Sequence, residues 1–164
     1  MVYKKNLRVF LLVFLMVLAS NMVAQAATKV PDFILRSVPD KKEINIKDHR
    51  GKVVLITFWA TWCGPCVKEI PSLNSLQEVY GPQGFSVLGI SMDQGGVRIV
   101  ENMMKKTSIN YPIVMDNQKV SKSFGGIFGI PTSFLIDRSG NIVKRYTGWV
   151  SHDVLETDIK KVVF

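Results

Sequence analysis

The chain has 164 residues, 47% hydrophobic and 21% charged, enough for one domain with a real core and too apolar for a disordered segment. Its formal net charge is +8, but the Lys and Arg residues are scattered, which does not fit the clustered basic and aromatic surface of a nucleic-acid binder. With only two cysteines and no repeat, the chain is neither a disulfide framework nor a solenoid.

The first eight residues carry Lys4, Lys5 and Arg8 and no acid, and residues 9–19 form an unbroken apolar run. Ala24-Gln25-Ala26 then places small residues at the two positions a signal peptidase reads. This predicts a secretory signal peptide over 1–26 and a mature domain over 27–164, with 18 basic and 13 acidic side chains. Left uncleaved, the same stretch becomes an anchor, although Ser20, Asn21 and Gln25 weaken it as a span. In both cases the positive end stays inside, so the domain is expected in the periplasm or another extracytoplasmic space, free or held at the inner membrane.

The domain opens with a short edge strand over 31–35, a turn over 37–42 and a weakly alternating return strand over 43–47. Residues 53–58, Val-Val-Leu-Ile-Thr-Phe, form the continuous run of a strand buried on both faces. Apolar residues at 70, 73, 76, 79 and 80 predict a helix over 67–80, with Pro71 inside it as a kink. A strand over 85–92, a helix over 97–106, a short strand over 111–115 and a short helix or turn over 119–124 follow. Gly125-Gly126 and Gly129 flank a loop ending in Ile130-Pro131-Thr132. A hairpin then joins strands 133–136 and 142–146, and a last helix, N-capped by Ser151, runs to about 162. Strands alternating with helices and then a hairpin mean an α/β domain with a central mixed sheet.

The chemistry concentrates in Trp62-Cys63-Gly64-Pro65-Cys66, between the buried strand and the helix. Disulfide exchange needs a thiolate, and a free cysteine, with a pKa of about 8.5, is mostly protonated at neutral pH. At the start of a helix Cys63 meets the positive end of the dipole and unpaired N–H groups, which favour the thiolate. Pro65 fits there because its missing N–H would be unpaired anyway. Cys66, three residues on and on the same helical face, is expected to be the more buried and to resolve the mixed disulfide. Cys63 is then the nucleophile. A structural disulfide is disfavoured, since so short a loop contributes little to a domain that has a core. Zinc lacks ligands, as His49 and His152 are not at ligand spacing to the pair. Glu69 reads either as a dipole partner or solvated residue, as is common early in a helix, or as a functional carboxylate. Trp59 is expected in the core and Trp62 as an apolar contact for a partner. Met92, Met103, Met104 and Met115 are soft enough for copper, but core filling is the commoner use.

Residues 58–66, Phe-Trp-Ala-Thr-Trp-Cys-Gly-Pro-Cys, resemble the active-site segment of thioredoxin, with Pro71 as its helix proline and Ile130-Pro131-Thr132 as its cis-proline loop. The opening hairpin, the signal peptide and a βα insert between 85 and 115 make the chain similar to the exported TlpA/ResA/DsbE-type thiol–disulfide oxidoreductases, over roughly 30–162. It departs from thioredoxin proper at Thr57, where thioredoxin has a buried aspartate, and carries Glu69 three residues after the second cysteine, as the exported branch does. The resemblance implies a thioredoxin-like fold with an N-terminal hairpin, and proton transfer assisted by Glu69. It implies a cis bond at Pro131 and substrate binding by Trp62, Gly64, Pro65, Ile130 and Pro131, with no cofactor beyond the Cys63–Cys66 disulfide. Gly64-Pro65, the dipeptide of the strongly reducing thioredoxin, points to a protein-disulfide reductase. The partners it implies are oxidised proteins such as the Cys-x-x-Cys-His sites of apocytochromes c, in cytochrome c maturation, and a membrane thiol-reductant transporter of the DsbD or CcdA kind, with the protein itself a monomer. The alternatives are a peroxiredoxin-like peroxidase, which Thr61 at only two residues before Cys63 argues against, and a copper- or apoprotein-binding module built on the cysteine pair.

Overall fold

A computed structural model describes residues 28–164. The signal-peptide reading of residues 1–26 lies outside them. The strands are β1 (Ile34–Val38), β2 (Glu43–Asn45), β3 (Val53–Trp59), β4 (Phe85–Ser91), β5 (Ile113–Met115), β6 (Thr132–Ile136) and β7 (Ile142–Thr147). The helices are α1 (Gly64–Tyr80), α2 (Val97–Thr107), α3 (Lys119–Ser123) and α4 (His152–Val163). The strands form one sheet in the order β2-β1-β5-β4-β3-β6-β7. It is a mixed α/β sheet: β3, β4 and β5 run parallel, and β6, β7, β1 and β2 join antiparallel.

β3 is buried along its whole length because it lies between β4 and β6 with helices on both faces. Successive side chains of a strand point to opposite faces. Val53, Leu55 and Trp59 therefore join the core beneath α1, α2 and α4, with Leu73, Leu76, Val100, Leu155 and Ile159. Val54, Ile56 and Phe58 join the opposite core, with Phe124 of the loop after α3 and Phe134 of β6. In that second core the Phe58 and Phe134 rings lie 5.3 and 4.9 Å from Phe124, as aromatic edges and faces prefer. On β4, the absence of a side chain at Gly89 makes room for side chains of its two neighbours, β5 and β3. A Cβ there would stand 2.4 Å from Ile113 Cδ1 and 3.1 Å from Trp59 Nε1.

Two expectations need correction. The strand expected at 31–35 begins at Ile34 and continues through Ser37 and Val38, residues read as a turn. It is not an edge, since it pairs with β2 on one side and, through Ser37 and Val38, with β5 on the other; β2 is the edge. Pro31 has no N–H to give a ladder, whereas Ser37 and Val38 find a partner strand remote in sequence. The return strand stops at Asn45, whose side chain caps a 3-10 turn (Ile46–His49) that buries Ile46. Ser151 stands at the N-cap of α4 as expected, with Asp153 in the first turn, although its side chain makes no capping hydrogen bond.

Candidate active site

β3 ends at Trp59 and the chain turns at once into α1. The Cys63 N–H donates to Ala60 O at 3.1 Å, closing the turn, and the Val67 N–H donates to Cys63 O at 3.0 Å, starting the helix. Helix α1 begins at Gly64, so the apolar face over 67–80 extends back to the helix start expected at the cysteines, and Cys63 is its N-cap, in extended conformation. Its Sγ takes the place of a capping oxygen and accepts the Cys66 N–H at 3.3 Å. Pro65, in the first turn, leaves no donor unpaired.

Cys63 and Cys66 form a disulfide with Cα atoms 5.3 Å apart. In this oxidised state both are buried, Cys66 at 3% exposure against 6% for Cys63. The two differ less in burial than in position, because only Cys63 Sγ sits at the helix mouth. Ile130 O lies 3.7 Å from Cys63 Sγ. The Ile130–Pro131 bond is cis, and the loop is tied by Thr132 Oγ1 donating to Gly129 O (2.7 Å) and by the Gly148 N–H donating to Pro131 O (2.8 Å). Pro131 itself is buried, while Trp62, Gly64 and Pro65 are exposed and Ile130 is half-buried.

Glu69, one helical turn beyond Cys66, is 3% exposed. That rules out a solvated residue. Its carboxylate accepts the Val150 N–H at 2.7 Å, from the loop between β7 and α4. Burial penalises the charged form and pushes its pKa up to about 7; the Val150 hydrogen bond opposes this only in part. Burial, and next the nearby Glu69 charge, push the Tyr111 hydroxyl upward as well. The expectation for Trp59 holds, at 4% exposure. Thr57 is buried and accepts a hydrogen bond from Ser133 Oγ at 3.0 Å, so the position of the thioredoxin aspartate holds a neutral pair.

Sequence reasoning missed Asp93. It follows β4 and is 8% exposed. Its carboxylate accepts the Thr61 N–H (2.9 Å), the Thr61 hydroxyl (2.6 Å) and the Ser91 hydroxyl (2.8 Å). It therefore clamps the turn that presents Trp62 and Cys63. Thr61 is spent on this clamp, which leaves it no free hydroxyl for a peroxidatic centre. An aspartate just past a buried strand was the available signal, but the partner lies 32 residues away. The four methionines do not share one site. Met103, Met104 and Met115 pack against the core that holds the cysteines and Met92 against the other. His49 and His152 contact Asn45 O and Ser72 Oγ.

Residues 25–163 match the Redoxin family model. The chain is 33% identical over 135 residues to the thiol-disulfide oxidoreductase ResA of Bacillus thuringiensis subsp. konkukian, covering 82% of this chain and 76% of that protein. The chain belongs to the redoxin family, within its ResA-like thiol–disulfide oxidoreductases. A ResA of a second Bacillus thuringiensis strain, Al Hakam, is 31% identical over 97% of this chain and 98% of its own length. Among solved structures, a thiol:disulfide interchange protein of the thioredoxin family from Chlorobium tepidum superposes with a TM-score of 0.80 at 33% identity, over 87% of this chain and all of its own. The fold is thus thioredoxin-like, of the TlpA/ResA/DsbE kind, and the chain is a thiol–disulfide oxidoreductase.

Proposed function

We propose that this oxidoreductase is an exported reductase of protein disulfides, cycling between the Cys63/Cys66 dithiol and disulfide. The observation that carries the direction of attack is the N-cap position of Cys63 Sγ, which meets the Cys66 N–H and the helix dipole. In the reduced enzyme the Cys63 thiolate attacks one sulfur of the substrate disulfide. A mixed disulfide forms, and the first substrate sulfur leaves as a thiolate and takes a proton. Cys66 then loses its proton to the Glu69 carboxylate and attacks Cys63 Sγ. The second substrate thiol departs, protonated in turn by Glu69, and the Cys63–Cys66 disulfide remains. Two electrons have passed from enzyme to substrate, and a dithiol donor must return them.

A carboxyl group with a pKa of about 7 suits this two-way proton transfer, since it holds and releases a proton near neutral pH. Ile130, Pro131, Trp62, Gly64 and Pro65 form the walls against which the substrate chain lies. The backbone of Ile130, beside Cys63 Sγ, offers an edge for strand addition. Gly64-Pro65 supports reduction over oxidation, thioredoxin with the same dipeptide lying at about −270 mV. The leader pattern of residues 1–26 supports an extracytoplasmic location, whether the segment is cleaved or kept as an anchor. The resemblance to the exported branch makes oxidised Cys-x-x-Cys-His sites of apocytochromes c the substrate class, and a membrane thiol transporter of the DsbD or CcdA kind the electron source.

The test is trapping in the native host with Cys66→Ser. The variant is expected to hold a substrate protein through Cys63 as a mixed disulfide released by dithiothreitol, and apocytochrome c among the captured proteins supports the substrate class. Capture through no cysteine, or an equal yield from Cys63→Ser, overturns the assignment.

A further inference from the structure

The loop over 125–129 has no part in the disulfide chemistry above, yet its construction is specific. Gly125 and Gly126 both have φ of +82°, the left-handed region that side chains disfavour. Phe124 before them is buried in the aromatic cluster with Phe33, Phe58 and Phe134. Ile127 packs on the same core. Phe128 does not: its side chain is 94% exposed, and its ring folds back over Gly126, where a Cβ would stand 3.0 Å from Cζ. The two glycines let the chain leave the core and carry the ring outward, two residues before Ile130.

Phe128 lines an open trough of about 720 Å³, and Trp62, 71% exposed, lines a second of about 510 Å³. The two share Met92, Asp93 and Gln94. They therefore form one furrow, running from the residue beside Cys63, past the end of β4, to the Phe128 ring. Asp116 and Lys122 lie along it with Asp93, whose carboxylate is already bonded to Thr61 and Ser91, and the aromatic ring is the distinctive apolar contact.

We propose that Phe128 is the specificity-determining anchor of the site, receiving an apolar side chain of the extended polypeptide that flanks the attacked disulfide. This rests on the protein-disulfide reductase reading. A chain whose sulfur meets Cys63 passes Ile130 O. At about 3.3 Å per residue it comes over Phe128 within about two to four residues of its cysteine. The contact removes two apolar surfaces from water, and for a side chain of this size that corresponds to about 10- to 100-fold in affinity. A small disulfide that lacks flanking residues reaches Cys63 without touching the ring.

The experiment compares wild type, Phe128→Ser and Phe128→Leu with three disulfides. Two are peptides that differ only by leucine or serine at the two to four positions flanking the cysteine, and the third is 2-hydroxyethyl disulfide. For Phe128→Ser, KM for the leucine peptide is expected to rise by about tenfold or more with kcat kept. The serine peptide and the small disulfide should be unchanged, and Phe128→Leu should recover most of the loss. Because the side chain is exposed, the circular dichroism spectrum and Tm should match wild type. An unchanged KM for the leucine peptide overturns the proposal and leaves the reductase reading standing. So does a mass change on Phe128→Ser that shows the ring pairing two copies of this chain, with peptide KM values unaltered. An equal loss on all three disulfides shows a general defect at the cysteines and also overturns it. Wild type inactive toward all three overturns the reductase reading, and the proposal with it.

Discussion

Replacing Glu69 by glutamine tests whether a buried carboxyl group destabilises this fold as pH rises. Glutamine keeps an oxygen for the Val150 N–H, which Glu69 now accepts at 2.7 Å, and removes the ionisation. The folded-state pKa is about 7 against 4.5 for the ordinary group, so the native state binds the proton more tightly than the unfolded chain. Stability from this proton is therefore present in full below about pH 4.5, is lost as pH rises, and is gone above about pH 7. With about 1.36 kcal/mol per pKa unit, the gap of 2.5 units corresponds to up to about 3 kcal/mol. Urea unfolding of the oxidised proteins at about pH 4.5 and about pH 8.5 measures it. Glu69→Gln should gain up to about 3 kcal/mol on wild type between the two conditions. In the same variant, the resolving step, followed as release of the second substrate thiol, should lose its dependence on a group titrating near pH 7. Parallel stability curves for the two proteins across this range would refute the placement of a strained carboxyl group at the site.

Cys63→Ser and Cys66→Ser should each abolish turnover in an insulin-disulfide reduction assay, and only Cys66→Ser should accumulate a mixed disulfide. Asp93→Ala leaves the Thr61 N–H and the Thr61 and Ser91 hydroxyls without their partner, which should cost about 1–3 kcal/mol and slow alkylation of reduced Cys63. Thr61→Val should show a smaller version of both effects in the same two measurements. Gly89→Ala forces a Cβ to 2.4 Å from Ile113 Cδ1 and should destabilise by about 1–3 kcal/mol in thermal unfolding, with Ile113→Val restoring part of the loss.

Features set by neighbours within a few residues are legible in the sequence. The run 53–58 stands out as a buried strand because every side chain in it is apolar or β-branched, and the structure extends it only to Trp59. Cys63-Gly64-Pro65-Cys66 announces a helix start because proline and the cysteine spacing act within one turn, where no distant partner is needed. The errors fall where partners are remote. Ser37 and Val38 look like a turn before a proline, and only β5, more than seventy residues further along, draws them into a ladder.

The sequence by itself determined that this chain carries a redox pair on a helix that follows a buried strand, because helix starts and strand burial are written in short windows of residues. Tertiary structure alone decided the rest of the site. Glu69 acquires a pKa near 7 from burial in a core built from the whole sheet, against a hydrogen bond from a residue 81 positions away. The turn before Cys63 is held by Asp93, and Cys63 Sγ meets Ile130 O across 67 residues. Desolvation and hydrogen bonding depend on what surrounds a group in space, which residue type and spacing along the chain do not specify.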